Sequence, residues 1–198
     1  MTPPEIPFRQ LFVLLFMMTG PLRVVPAFAG MARHLPAAER SAAAARAVRI
    51  AIAAVLLAIF LGRLIMKSWG ASPQAVAAAS GLLLALASLQ GILGKPDPSD
   101  PATEADGIAM SPLAFPTMVP PFAVGVLILF ASFARGTTQL LTMAGLAVGM
   151  LLLDWLGMRH ADRILAVLRP PVLRVLGSVF GVLQLSLGLE MIRFAMRG

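Results

Sequence analysis

Apolar stretches long enough to cross a bilayer alternate along the chain with short charged segments, and about six spans are predicted. Span one runs from Phe8 to Met31, and helix two from Ser41 to Met66, with Ile50 to Met66 as its membrane part. Span three runs from Pro73 to Leu93, four from Ile108 to Phe133, five from Thr138 to Met158 and six from Leu173 to Met196. No charged residue occurs in Ser68 to Gly94, Gly107 to Ala134 or Gly136 to Leu153. Small residues recur at helical spacing at Ala43, Ala47 and Ala51, at Gly145 and Gly149, and at Gly177, Gly181 and Gly188. Such rows let helices approach closely. Between spans five and six, a short amphipathic helix is expected at the membrane surface.

Two spans carry a break. In span one, Gly20-Pro21 interrupts the apolar run, with Arg23 and Pro26 just beyond. In span four, Pro112, Pro116, Pro120 and Pro121 crowd the first half. Proline has no amide proton and clashes with the preceding turn. In hydrocarbon the freed carbonyls need protein, water or a ligand as partner. Thr19, Ser111 and Thr117 lie close enough to serve them.

The fold class is therefore an all-α polytopic membrane protein, and residues 1–198 form one membrane domain. A polar connector at 95–107 separates a half at 8–94 from a half at 108–196. Three spans per half make an odd number, so the halves insert in opposite senses. Each half opens with a broken helix, which predicts a 3+3 inverted repeat with helices one and four broken. Ala27-Phe28-Ala29 before Gly30 imitates a signal-peptide cleavage site, but Pro21 and Arg23 interrupt the apolar region. The segment is read as a retained span.

Composition narrows the function. Of 198 residues, 59% are hydrophobic and 13% charged, with mean hydropathy +0.87. Soluble domains carry roughly a quarter charged residues. The net charge of +7 would suit nucleic acid in a soluble protein. Here Lys and Arg flank the spans and act as orientation signals. They are more frequent after spans one, three and five, which places both termini outside a bacterial inner membrane. No cysteine is present, and the two histidines lie far apart, so neither a disulfide nor a metal site is expected. The 12 methionines read as core filler. No Ser-His-Asp set, paired carboxylates or phosphate-binding loop appears, so neither an enzyme nor a cofactor is expected. The partners are the bilayer and a small polar solute, with a homo-oligomer left open and nucleic acid excluded.

Arg23 is the most informative residue. A buried arginine is costly unless paired or hydrated. With amides freed at the break it could hold an anion or carboxylate, or it could pair with Asp154 or Glu190. Asp154, beside Trp155, is read at a membrane boundary, as a proton-coupling acid or half of a structural ion pair. Glu190 stands three residues before Arg193, a spacing suited to structural pairing. Gln90 and Gln184 are read as helix bridges or cavity liners.

Gly20-Pro21-Leu22-Arg23-Val24-Val25-Pro26-Ala27-Phe28 resembles the Asn-or-Asp-Pro-x-Gly-x-x-Pro-x-Phe motif of the MarC family of integral membrane proteins. Pro112-Leu113-Ala114-Phe115-Pro116, followed by Pro120-Pro121-Phe122, resembles that family's Pro-Leu-Ala-x-Pro and Gly-Pro-Gly pair. The resemblance covers nearly the whole chain and implies a relation to the LysE superfamily of amino-acid exporters. It departs at Gly20, which replaces a polar residue, and at Arg23, Pro120 and Phe122, which replace glycines. It implies a secondary transporter or exporter of a small polar solute such as a neutral amino acid. The solute would lie between the breaks, at Thr19, Gly20, Pro21, Arg23, Pro116, Thr117, Pro120 and Pro121. The alternative is a non-transporting structural or accessory membrane protein of the same fold.

Overall fold

The computed structural model describes residues 8–93, 109–134, 136–167 and 170–197, which are all-helical apart from turns. The polar connector at 95–107 lies outside the described residues. In chain order the helices are α1 (Phe8–Thr19), α2 (Pro21–Met31), α3 (Ala37–Trp69) and α4 (Pro73–Ile92). There follow α5 (Ala109–Met118), wound as a π-helix, α6 (Pro121–Phe133), α7 (Thr137–Arg159), α8 (Ala161–Val167) and α9 (Pro170–Met196). Among the described residues, five segments are long and apolar enough to cross a membrane: Phe12–Ala32, Ala37–Trp69, Pro73–Ile92, Thr137–Arg159 and Val175–Met196. α6 is apolar but has 13 residues. At 1.5 Å per residue it rises about 20 Å, short of the roughly 30 Å hydrocarbon core.

Local chemistry explains the helix limits. Ser72 caps α4 by accepting the amide of Ala75 at 3.1 Å, and Pro73 occupies the first turn, where no amide is needed. Gly70 ends α3 in the left-handed region at φ 66°, which only glycine enters without strain. Trp69, just inside that end, is exposed, as suits a residue at a membrane–water boundary. α8 is the short helix after α7; its Asp162 and Arg163 are exposed and its Ile164 and Leu165 half-buried.

Many of the packing surfaces are built of small residues. Ala43, Ala47, Ala51 and Ala58 form the buried stripe of α3, which packs on α5, α6 and α7. The most extensive contact joins α4 to α9. There a Cβ on Gly81 would lie 2.6 Å from the Gly188 carbonyl oxygen, and one on Gly188 would lie 2.8 Å from that of Gly81. The helices touch backbone to backbone. Ile92 of α4 meets Gly181 of α9, so the pair runs antiparallel. Gly145 and Gly149 of α7 behave differently. Both are exposed with nothing within 4 Å of a Cβ, so that row packs on no other described part of the chain.

Two apolar clusters result. One joins α2, α3, α5 and α7 through residues such as Val25, Ala47, Val119 and Leu151. The other joins α4 and α6 to Met18 and Met191 through Ala77, Leu84, Phe122 and Val126. The contrast among glycines is testable by thermal unfolding in detergent. Gly188→Ala overpacks the seam and is expected to cost about 1–3 kcal/mol. Gly145→Ala and Gly149→Ala, each in open space, should leave the midpoint unchanged or slightly raised.

Candidate functional site

The site begins at the first break. α1 ends at Thr19, whose hydroxyl donates to the Leu15 carbonyl at 3.0 Å. The Gly20 amide still donates to Phe16, but Gly20 is extended at φ −73° and ψ 166°. Pro21 then opens α2, and the Arg23 amide donates to the Gly20 carbonyl at 3.0 Å. Pro21 cannot serve the carbonyl of Met17, four residues back. Gln184 of α9 donates its side-chain amide to that oxygen. A polar side chain from the last helix thus satisfies the acceptor that the proline orphans.

The second break follows a similar local pattern. Pro120 is extended at φ −68° and ψ 152°, Pro121 opens α6, and the Ala123 amide donates to the Pro120 carbonyl at 2.9 Å. On the upstream side the Val119 amide reaches Ala114, five residues back, and continues the wide winding of α5. The Arg23 side chain reaches from the start of α2 to the start of α6. The Arg23 guanidinium carbon is 5.7 Å from the centroid of the Phe122 ring, within cation–π range. Arg23 itself is exposed, while Phe122 is buried.

A cavity of about 560 Å³ opens at the first break. Its walls come from α1, α2, α4 and α9, including Gly20, Leu22, Arg23, Ser88, Ser178 and Gln184. That volume falls in the range of small-molecule sites, which is roughly 300–1,000 Å³. The lining is mainly apolar with a few convergent polar groups, one of them a fixed cation.

Of the residues singled out from sequence, Gly20 and Arg23 line this cavity. Pro21 lies beside them on the α7 side, its Cβ near Gly157 and near a smaller apolar hollow that reaches α8. Thr19 is buried and spent on its own helix. Pro116 and Thr117 are half-buried in α5, Pro120 is buried and Pro121 exposed; none of the four lines the cavity. Glu190 pairs with Arg193 at 2.5 Å on an exposed face of α9.

Asp154 is 0% exposed, and neither carboxylate oxygen has a hydrogen-bond partner among the described residues. Its surroundings are therefore protein, and the ion pair with Arg23 considered from sequence is not formed. The burial follows from packing: α7 lies against α1, α2 and α3. Gln184 does both things a polar residue in a span can do, bridging helices and lining the cavity, whereas Gln90 is exposed. Phe122 was marked from sequence as a departure at a glycine position, but its contact with Arg23 was not foreseen. The contributions of Ser88 and Ser178 were missed, because the serines carry no local signal.

The chain is 27% identical over 200 residues to the UPF0056 membrane protein YhcE of Escherichia coli K12, covering 96% of this chain and 92% of that one. It is 24% identical over 194 residues to the UPF0056 membrane protein PYRAB13050 of Pyrococcus abyssi, covering 96% and 94%. It is 24% identical over 197 residues to the UPF0056 inner membrane protein MarC of Escherichia coli O1:K1 / APEC, covering 91% and 89%. No solved structure matches it. The family described as MarC family integral membrane protein matches residues 7–198, and the chain, an all-α protein with five long apolar spans, belongs to that family.

Proposed function

We propose that the protein is a secondary transporter of a small polar solute that carries a carboxylate, such as a neutral amino acid, in an inner membrane. The observation that carries this reading is the cavity at the first helix break, with Arg23, Gln184 and two serines on its walls. The start of α2 borders the cavity at Gly20, Leu22 and Arg23, and helix N-termini favour negative charge. Arg23 adds a full positive charge beside them. Half-helix ends meeting near the membrane midplane are a recurrent way of holding such solutes. The inner-membrane placement follows the name of the Escherichia coli relative.

Six spans arranged as a 3+3 inverted repeat fit the packing. In this reading α5 and α6 together form the fourth span. Under exchange of the halves, α3 on α6 corresponds to α7 on α2, and α3 on α5 corresponds to α7 on α1; all four contacts are formed. The pairs α3–α7 and α4–α9 correspond to themselves. The middle helices also share a short pattern, Ile59-Phe60-Leu61-Gly62 in α3 and Asp154-Trp155-Leu156-Gly157 in α7. Other correspondences are unequal: α2 packs on α5 and α1 on α9, without equally extensive counterparts in α6 on α1 and α5 on α4. α4 packs closely on α6, where a Cβ on Gly125 would strike the Ser80 hydroxyl, whereas α9 and α2 face each other across the cavity. The departures from the family motifs fit a changed solute: Arg23 and Phe122 stand at glycine positions of the motifs and stack on each other.

Flux into proteoliposomes tests the reading. Amino acids and small carboxylates are screened with and without a proton gradient, with Arg23→Ala alongside. Saturable flux of one carboxylate solute is expected. A charge-assisted hydrogen bond contributes about 1.5–3 kcal/mol, so Arg23→Ala should lower kcat/KM by roughly tenfold or more while the protein still inserts and folds. Absence of flux from folded protein would favour the accessory role instead. Gln184→Leu removes the donor to Met17. It is expected to lower thermal stability by about 1–3 kcal/mol, read as a shifted unfolding midpoint in detergent.

A further inference from the structure

We infer that Asp154 binds a monovalent cation, a proton or Na⁺, and that this binding is coupled to the solute cavity through the α1–α2 break; the coupling rests on the transport reading above. The carboxyl group is completely buried and both of its oxygens lack a hydrogen-bond partner. A carboxylate withdrawn from water with no partner costs several kcal/mol. A cation on it removes that cost, and acids inside membrane spans are retained mainly for such roles.

Nothing in the packing demands an acid there. If the repeat proposed above holds, the x-aromatic-Leu-Gly pattern sets Asp154 against Ile59 of α3, also 0% exposed, three residues before Gly62 as Asp154 is before Gly157. On that pairing a hydrocarbon side chain serves in one half where the other has a carboxyl group.

Among the described side chains, the neighbours supply no hydrogen-bonded counter-charge to the carboxyl group. α7 packs on α1, α2, α3 and α8. On α2, Arg23 is exposed and stacks over Phe122. On α3, Glu39, Arg46, Arg49 and Lys67 are exposed, Arg63 is half-exposed, and Arg40 reaches Asp162 of α8 at 3.7 Å. Arg163 of α8 is exposed. On α7 itself, Arg159 lies over the Trp155 ring, and His160 just beyond is exposed against the Leu156 carbonyl. None of these donates to Asp154.

Position links the acid to the break. A Cβ on Gly157 would lie 3.2 Å from Pro21 and 2.8 Å from Val25. Beyond Gly157, Met158 and Arg159 share a crevice with Phe28, Ala29 and Ala32, so α7 and α2 run in the same direction. Asp154 lies one turn before Gly157, the residue of α7 that touches Pro21 at the α1–α2 junction. The solute cavity touches that junction from the other side, where Gln184 holds Met17 and Gly20 and Arg23 form the wall. Carbonyls at an unwound helix end are natural partners for a coupling cation. The loaded carboxyl is neutral and the empty one anionic, and the cation enters from one side and leaves to the other, with no further reactant.

Tryptophan emission tests this without any solute. The chain has two tryptophans, and Trp69 is 82% exposed at the end of α3. Trp69→Phe therefore leaves Trp155, adjacent to Asp154, as the reporter. The variant in liposomes is titrated with acid in potassium buffer, then with NaCl against KCl at fixed alkaline pH. A saturable change with one of the two cations is expected, and its identity names the ion. Asp154→Asn should abolish the change, and Asp154→Glu should keep it with a moved midpoint. Asp154→Ile, which copies Ile59, serves as a second folded control that lacks it. No response to either cation, or a response that survives in Asp154→Asn and so belongs to His160, overturns the site. For the coupling, Gln184→Leu on the far side of the break should move the midpoint by roughly tenfold; an unmoved midpoint overturns it. Because the readout needs no flux, the cation site and the transport reading can fail separately.

Discussion

A backbone carbonyl in hydrocarbon must find a donor, and Pro21 takes one away from Met17 in the middle of the first span. The donor comes from Gln184, on the last helix of the chain. That reach requires α9 to lie beside the break, and α9 is held there by its seam with α4, where Gly81 and Gly188 touch backbone to backbone. One missing amide proton thus ties together the first, third and last long spans. The same tie leaves space between α2 and α9, because a glutamine bridging to a backbone oxygen does not fill the room that a packed side chain would.

The second break is wound differently. α5 winds wide, the Val119 amide donates to the Ala114 carbonyl, and Met118, Val119 and Phe122 are buried. The first break borders the cavity and the second does not. The difference arises from what covers each: α4 lies tight on α6, and α9 stands off from α2. Arg23 links the two, a charge from the cavity wall resting on an aromatic ring of α6.

Much of this was legible in the sequence because it depends on local rules. Apolar windows gave the long helices, and the absent amide of proline marked Gly20-Pro21 and Pro120-Pro121 as places where a helix restarts. The alanine stripe of α3 read correctly as a buried face. Gly145 and Gly149 look the same on paper yet face open space, since a small-residue row shows only that a neighbour could come close. Asp154 was read at a boundary from its neighbour Trp155 and the nearby end of the span at Met158. Its burial comes from three other helices distant in sequence, and no local pattern carries that. Gln184 was visible as a polar residue in a span, but its partner was not, because 167 positions separate it from Met17.

In the repeat proposed above, Ile59 would stand where the other half has Asp154, and hydrocarbon is the cheaper choice in a bilayer. An acid with no hydrogen-bond partner among the described residues has a cost that packing does not recover. It stands on the α7 side of the same break whose other side faces the cavity. The first break is also the one whose carbonyl is held by a side chain rather than by continued winding, and so the one that can be released without unwinding a helix. A junction that is loosely closed, with a cation acceptor on one face and a cationic cavity on the other, is where a small change in charge can be converted into a change in shape.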